Sequence, residues 1–93
     1  METVRAHLWI SGRFYGDSLR RRLLQVADLL HLNGWVRRLV DGRLEVVLEG
    51  EAEAVHEAIR ACKQGHWGNA VSSVVVRYES VLGEQPGFVL RAG

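Results

Sequence analysis

Residues 12–22 read GRFYGDSLRRR and hold two glycines, a helix-starting pair (Asp17, Ser18) and three consecutive arginines. A β-like run, RAHLWIS, precedes them and a helical pattern follows. A loop entering a helix exposes backbone N–H groups that have no partner within the helix. Those groups and the helix dipole bind anions. Gly12 and Gly16 allow the loop to curl so that successive N–H groups point inward as a nest. Arg20, in the first helical turn, can add a guanidinium fork to the same anion. The chemistry on offer is phosphate binding. As a bare motif it is weak, because many strand-to-helix turns carry Gly and Arg without a ligand. The plain alternative is a turn followed by a solvated basic face.

The other chemistry-bearing residues form no set. Cys62 is the only cysteine, so no internal disulfide is possible, which fits a reducing compartment. It falls on the apolar side of a predicted helix and reads as a buried, inert thiol. His31, His56 and His66 have no mutual ligand spacing, and His7 lies opposite the core-facing residues of its strand. With no carboxylate pair or cysteine to complete a set, no metal site is expected. Trp9, Trp35 and Trp67 read as packing or sheet-face residues, and Arg21 and Arg22 as solvated helix residues. Arg13 fits either the loop or a structural role.

The elements that must position these residues follow from periodicity. In residues 4–11, Val4, Ala6, Leu8 and Ile10 alternate with Arg5, His7, Trp9 and Ser11, the pattern of a half-buried strand. Leu19, Leu23, Val26, Ala27 and Leu30 then form a helical stripe. Asp17 or Ser18 supplies its N-cap and Asn33-Gly34 its stop. GWVRRLV and RLEVVLE, joined by Asp41-Gly42, read as a hairpin. Residues 51–64 predict a second helix with Val55, Ala58, Ile59 and Cys62 inward. Residues 70–81 predict a strand with Val74, Val76 and Tyr78 on one face, and residues 88–91 a short last strand. The order β-α-β-β-α-β plus a short β is ferredoxin-like. It predicts an α+β domain spanning residues 1–93, an antiparallel sheet with two helices on one face.

At 93 residues the chain fits one domain with one modest core. Its net charge of +1 gives no global field toward nucleic acid or an anionic membrane. All positive charge but Lys63 is arginine, which suits planar anions, although genomic base composition produces the same bias. The N-terminus lacks a signal-peptide pattern and no apolar run approaches spanning length, so a cytoplasmic protein is expected. RNA binding, which some domains of this fold perform, is not expected, since the aromatic signature on the central strands is missing.

The chain resembles the acylphosphatases. Their signature is S-G-R-V-Q-G-V-x-[FY]-R followed by G-W-V-x-N-x-x-D-G. Here Ser11-Gly12-Arg13-Phe14-Tyr15-Gly16-Asp17-Ser18-Leu19-Arg20 is followed by Gly34-Trp35-Val36-Arg37-Arg38-Leu39-Val40-Asp41-Gly42. VVLEG at 46–50, Ala54-Val55 and Gly87-Phe88 complete a likeness over almost the whole chain. The resemblance implies hydrolysis of small acyl phosphates to carboxylate and phosphate, without cofactor, metal or covalent intermediate. It implies a phosphate cradle of Tyr15, Gly16, Asp17, Ser18 and Leu19, with Arg20 as the catalytic arginine. The family's second-strand asparagine, which positions the attacking water, corresponds to Arg38.

That departure matters chemically. An asparagine amide donates and accepts hydrogen bonds, whereas a guanidinium only donates. Arg38 therefore cannot accept a hydrogen from a water and turn its lone pair toward phosphorus. Asp17 stands where the family has valine. It repels an incoming phosphate if it points inward, and is harmless if it turns back to cap the helix. Asn33 reads as a helix stop rather than a substitute, and Asn69 has no motif support. The expectation is a domain that binds phosphate or acyl-phosphate anions at residues 12–20, with hydrolysis weak or lost at Arg38. The alternatives are an active acylphosphatase and a non-catalytic protein-interaction module.

Overall fold

Alternation along the first strand places Ala6, Leu8 and Ile10 on one face with none of their surface exposed. The computed structural model, which describes residues 2–13, 18–64 and 71–92, builds its core on that face. The elements are β1 (Thr3–Gly12), α1 (Ser18–Leu29), β2 (Asn33–Arg38), β3 (Leu44–Glu51), α2 (Ala52–Gln64), β4 (Val71–Glu79) and β5 (Phe88–Leu90). They form a five-stranded sheet in the order β4-β1-β3-β2-β5. Leu19, Leu23 and Ala27 of α1, and Val55, Ala58, Ile59 and Cys62 of α2, close the core against Leu8, Ile10, Val36, Leu44, Val46 and Leu48. This is the α+β, ferredoxin-like arrangement that the element order predicts. Val74 and Val76 pack against the same core, as expected of β4.

Three local features differ from the sequence reading. First, β5 runs parallel to β2, whereas β1–β3, β1–β4 and β2–β3 are antiparallel. The connection after β4 arrives at the end of the sheet where β2 starts, pairing Phe88 with Gly34, so both strands leave in the same direction. Second, α1 is not stopped by Asn33-Gly34. His31 takes a left-handed φ of 56°, its N–H donates to Asp28 O at 3.2 Å, and Leu32 N–H donates to Ala27 O at 2.8 Å. That pair of bonds closes a Schellman cap. Third, the hairpin loop is longer than two residues. Gly42 N–H donates to Leu39 O at 2.9 Å and Leu39 N–H to Arg43 O at 2.7 Å, with Gly42 at φ 92°. A three-residue turn ending in a left-handed glycine fits these bonds.

The sheet face without helices is not simply solvated. Arg5, Glu45 and Glu49 are buried there. Arg5 pairs with Glu84 at 2.7 Å, Glu79 at 3.3 Å and Glu49 at 3.5 Å. Glu49 also accepts Leu82 N–H at 3.0 Å and Glu84 N–H at 2.8 Å, which seats the connection between β4 and β5 over this face. Arg77 holds the Glu79 carboxyl down at about 2, with help from His7 and Arg5. At Glu45 burial raises the pKa, but the bonds from Arg37 and His7 outweigh it and the net direction is down. At Glu49 burial likewise raises it, and the Glu84 and Leu82 N–H groups with Arg5 more than offset this. A depressed carboxyl stabilises the fold above its unfolded-state pKa and loses that effect as pH falls through the folded one. The urea midpoint is therefore expected to fall between about pH 4.5 and pH 2, and replacing Glu79 with glutamine is expected to flatten that decline.

Candidate active site

Arg20, at the start of α1, and Arg38, at the end of β2, lie at the same end of the sheet on the side that carries the helices. β1 ends at Gly12, and α1 starts at Ser18 and runs back along the sheet for 12 residues, about 18 Å. The chain turns at His31 and Leu32, and β2 returns over 6 residues, about 17–20 Å. Arg38 is therefore brought level with the first turn of α1, which packs over β2 and β5. Register confirms the level: Arg38 pairs with Leu44, Leu44 with Ile10, and Ile10 with Val74. Alternation sets the face. Gly34, Val36 and Arg38 lie toward the helices, opposite Leu48, Val46 and Leu44. Arg37 points to the other side, where its Nε donates to Glu45 at 2.6 Å. Of two adjacent arginines, the fold delivers Arg38 to the helix side.

Of the residues expected to hold the anion, Ser18, Leu19 and Arg20 form the start of α1. Their N–H groups belong to the first helical turn, where partners within the helix are absent. Leu19 sends its side chain into the core, 5% exposed, so only its backbone is on offer to a ligand. Ser18 is exposed, and Arg20 is half-buried with its Nε shielded from solvent. Arg13, Arg21 and Arg22 are exposed. Tyr15, Gly16 and Asp17 lie outside the described residues, as do His66, Trp67 and Asn69. Ile10 to Arg13, Ser18 to Arg22 and Arg38 contain no carboxylate. Asp41, in the neighbouring turn, is bound by Arg43 through backbone N–H at 3.0 Å and Nε at 2.8 Å.

Asn33 does not serve this site. It begins β2 at the opposite end of the sheet, and its Oδ1 accepts Gly87 N–H at 2.8 Å. Its role is to hold β5 beside β2. Cys62 is fully buried, and desolvation pushes its thiol up to about 12, which keeps it unreactive. Among the described residues no group of three His, Cys, Asp or Glu could hold a metal ion. A cleft of about 440 Å³ lies between Trp35, Val89, Arg91 and residues 82–87. Its lining contains neither Arg20 nor Arg38. No helix among the described residues is long and apolar enough to cross a membrane.

A family model described as acylphosphatase matches residues 6–90. The chain belongs to the acylphosphatase family. It is 41% identical over 93 residues to an acylphosphatase of Syntrophobacter fumaroxidans, covering all of this chain and 96% of that protein. It is 42% identical over 88 residues to an acylphosphatase of Roseiflexus sp., covering 95% of each. A crystal structure of acylphosphatase from Bacillus subtilis superposes with a TM-score of 0.86 at 27% identity, covering 95% of this chain and 98% of that one.

Proposed function

We propose that this chain is an acyl phosphate hydrolase that cleaves small carboxyl–phosphate mixed anhydrides to carboxylate and phosphate. The observation that carries the reading is near-full-length identity of 41–42% to proteins named acylphosphatase. Retention of Arg20 in the first turn of α1 supports it. Arg20 and the helix-terminal N–H groups bind the phosphoryl oxygens and stabilise the charge that grows there during transfer. Water attacks phosphorus, the bond from phosphorus to the acyl oxygen breaks, and the acyl group leaves as a carboxylate. A carboxylate leaves readily at neutral pH without a proton, since its acid has a pKa of about 4. No general acid is needed at the leaving oxygen.

One observation favours a second reading, anion binding with weak hydrolysis. Arg38 stands on the helix side of β2 where an acceptor would orient the water, and Asn33 is engaged at the far end. Steady-state hydrolysis of benzoyl phosphate by wild type and Arg38→Asn separates the two. Wild-type turnover that R38N changes little supports the hydrolase. A silent wild type with R38N raised by about 10²-fold, the scale of a misplaced reactant, supports the second reading instead.

A further inference from the structure

The helix-free face holds a charged cluster whose balance turns on one proton. Three guanidiniums, Arg5, Arg37 and Arg77, face four carboxylates, Glu45, Glu49, Glu79 and Glu84. His7 of β1 lies between them. Its Nε2 is 2.7 Å from Glu45 Oε2 on β3, and its Nδ1 is 2.9 Å from Glu79 Oε2 on β4. A neutral imidazole carries one N–H, so one carboxylate would then face a lone pair at hydrogen-bond distance. An imidazolium donates to both and brings the cluster to four charges of each sign.

We propose that His7 is a proton-operated clasp: protonated, it ties β1 to β3 and β4 at once, and loss of the proton opens one of the two links. The surroundings favour the cation. Trp9 stacks on the His7 ring at a centroid distance of 4.1 Å. An aromatic face attracts a cation. Both carboxylates are also engaged elsewhere, Glu45 by Arg37 at 2.6 Å and Glu79 by Arg77 at 2.8 Å and Arg5 at 3.3 Å, so they stay ionised. Glu49 and Glu84 meet Arg5 on the flank of the cluster, and Arg91, beyond β5, lies over Trp35 at 4.6 Å. Glu45 is buried, and a carboxylate there facing an imidazole lone pair instead of a donor is disfavoured, because an unmade bond at a buried charge is costly. The sign follows: the clasp stabilises while His7 is protonated, and its effect is lost as pH rises through the point where the folded protein gives up that proton.

The test is a pair of measurements on the intact chain. The ¹⁵N spectrum of the wild-type ring is expected to show both His7 nitrogens protonated at about pH 6, one donating to each carboxylate. Urea unfolding from about pH 6 to about pH 9 is expected to show the wild-type unfolding constant rising by up to about tenfold per pH unit as that proton is lost. His7→Phe removes that rise. His31, His56 and His66 are common to both proteins, so the difference isolates His7. A ring carrying a single N–H at pH 6 would overturn the clasp, and so would identical pH slopes in the two proteins. If His7→Phe fails to fold, the ¹⁵N spectrum decides alone.

Discussion

Arg20→Ala is expected to lower acyl phosphate turnover by about 10³-fold, the upper range for removing one donor that stabilises developing charge. In the proposed mechanism the fork binds two phosphoryl oxygens, and its charge offsets what accumulates on them as the acyl oxygen departs. Alanine leaves the backbone N–H groups of the first turn, whose combined dipole amounts to about half a charge, and no fork on α1 aimed at the anion. The helix itself should persist, because Leu19, Leu23 and Ala27 anchor α1 in the core. Inorganic phosphate binding, read by titration calorimetry, should fall with turnover, while the melting temperature moves little. Arg20→Lys keeps the charge but loses the planar fork, and should recover only part of the loss. Wild-type phosphate affinity in Arg20→Ala would sink the assignment of the anion site to α1. A large drop in melting temperature would instead make Arg20 a structural residue.

The sequence made the order of elements and their inward faces legible because each depends on local periodicity. Ala6, Leu8 and Ile10 announce the core face of β1 by alternation, whereas the helix-side placement of Arg38 rather than Arg37 came only with the strand register. What sequence patterns hid depends on distant partners. Asn33-Gly34 has the composition of a helix stop, yet the stop is His31, a residue with a Cβ that tolerates the left-handed region less well than glycine. Gly34 is reserved for a close approach between strands, and Asn33 for a bond to Gly87. The direction of β5 cannot be read from a three-residue strand, since it is set by where the preceding connection lands. Arg5 and His7 alternate with the core residues and so read as solvent-facing. Their burial follows from carboxylates on two other strands and from residues 82–84 laid across them. Arg20 was legible as a candidate by residue type and spacing and Arg38 only through the family resemblance, and their place at one end of the sheet needs the lengths of α1 and β2 to match.

That match depends on Gly34, and Gly34→Ala is expected to be strongly destabilising. The residue sits at φ 137°, where side chains are strained, and an added Cβ would fall 1.9 Å from the carbonyl oxygen of Val47. Val47 is fully buried in β3, a central strand paired on both sides, so it cannot yield by a rotamer change. Strain at such a φ costs about 1–3 kcal/mol, and forcing extra volume into packed structure about 1–3 kcal/mol more. A total of about 4 kcal/mol is a large part of the roughly 5–14 kcal/mol that a chain of this length holds. The melting temperature should fall by about 15–30 °C, at roughly 4–8 °C per kcal/mol for a domain of this size. Gly42→Ala is the control. Gly42 is also left-handed at φ 92°, but nothing lies within 4 Å of its added Cβ, so it should suffer the backbone strain alone. Thermal melts of the two variants side by side separate strain from collision. Equal losses would mean that the close approach of β2 to β3 contributes nothing. A much larger loss at Gly34 would show that β2 is held against β3 at its first turn of pairing. It would also predict that any Gly34 variant that still folds misplaces Arg38, four residues along the same strand, and so changes activity without touching the site.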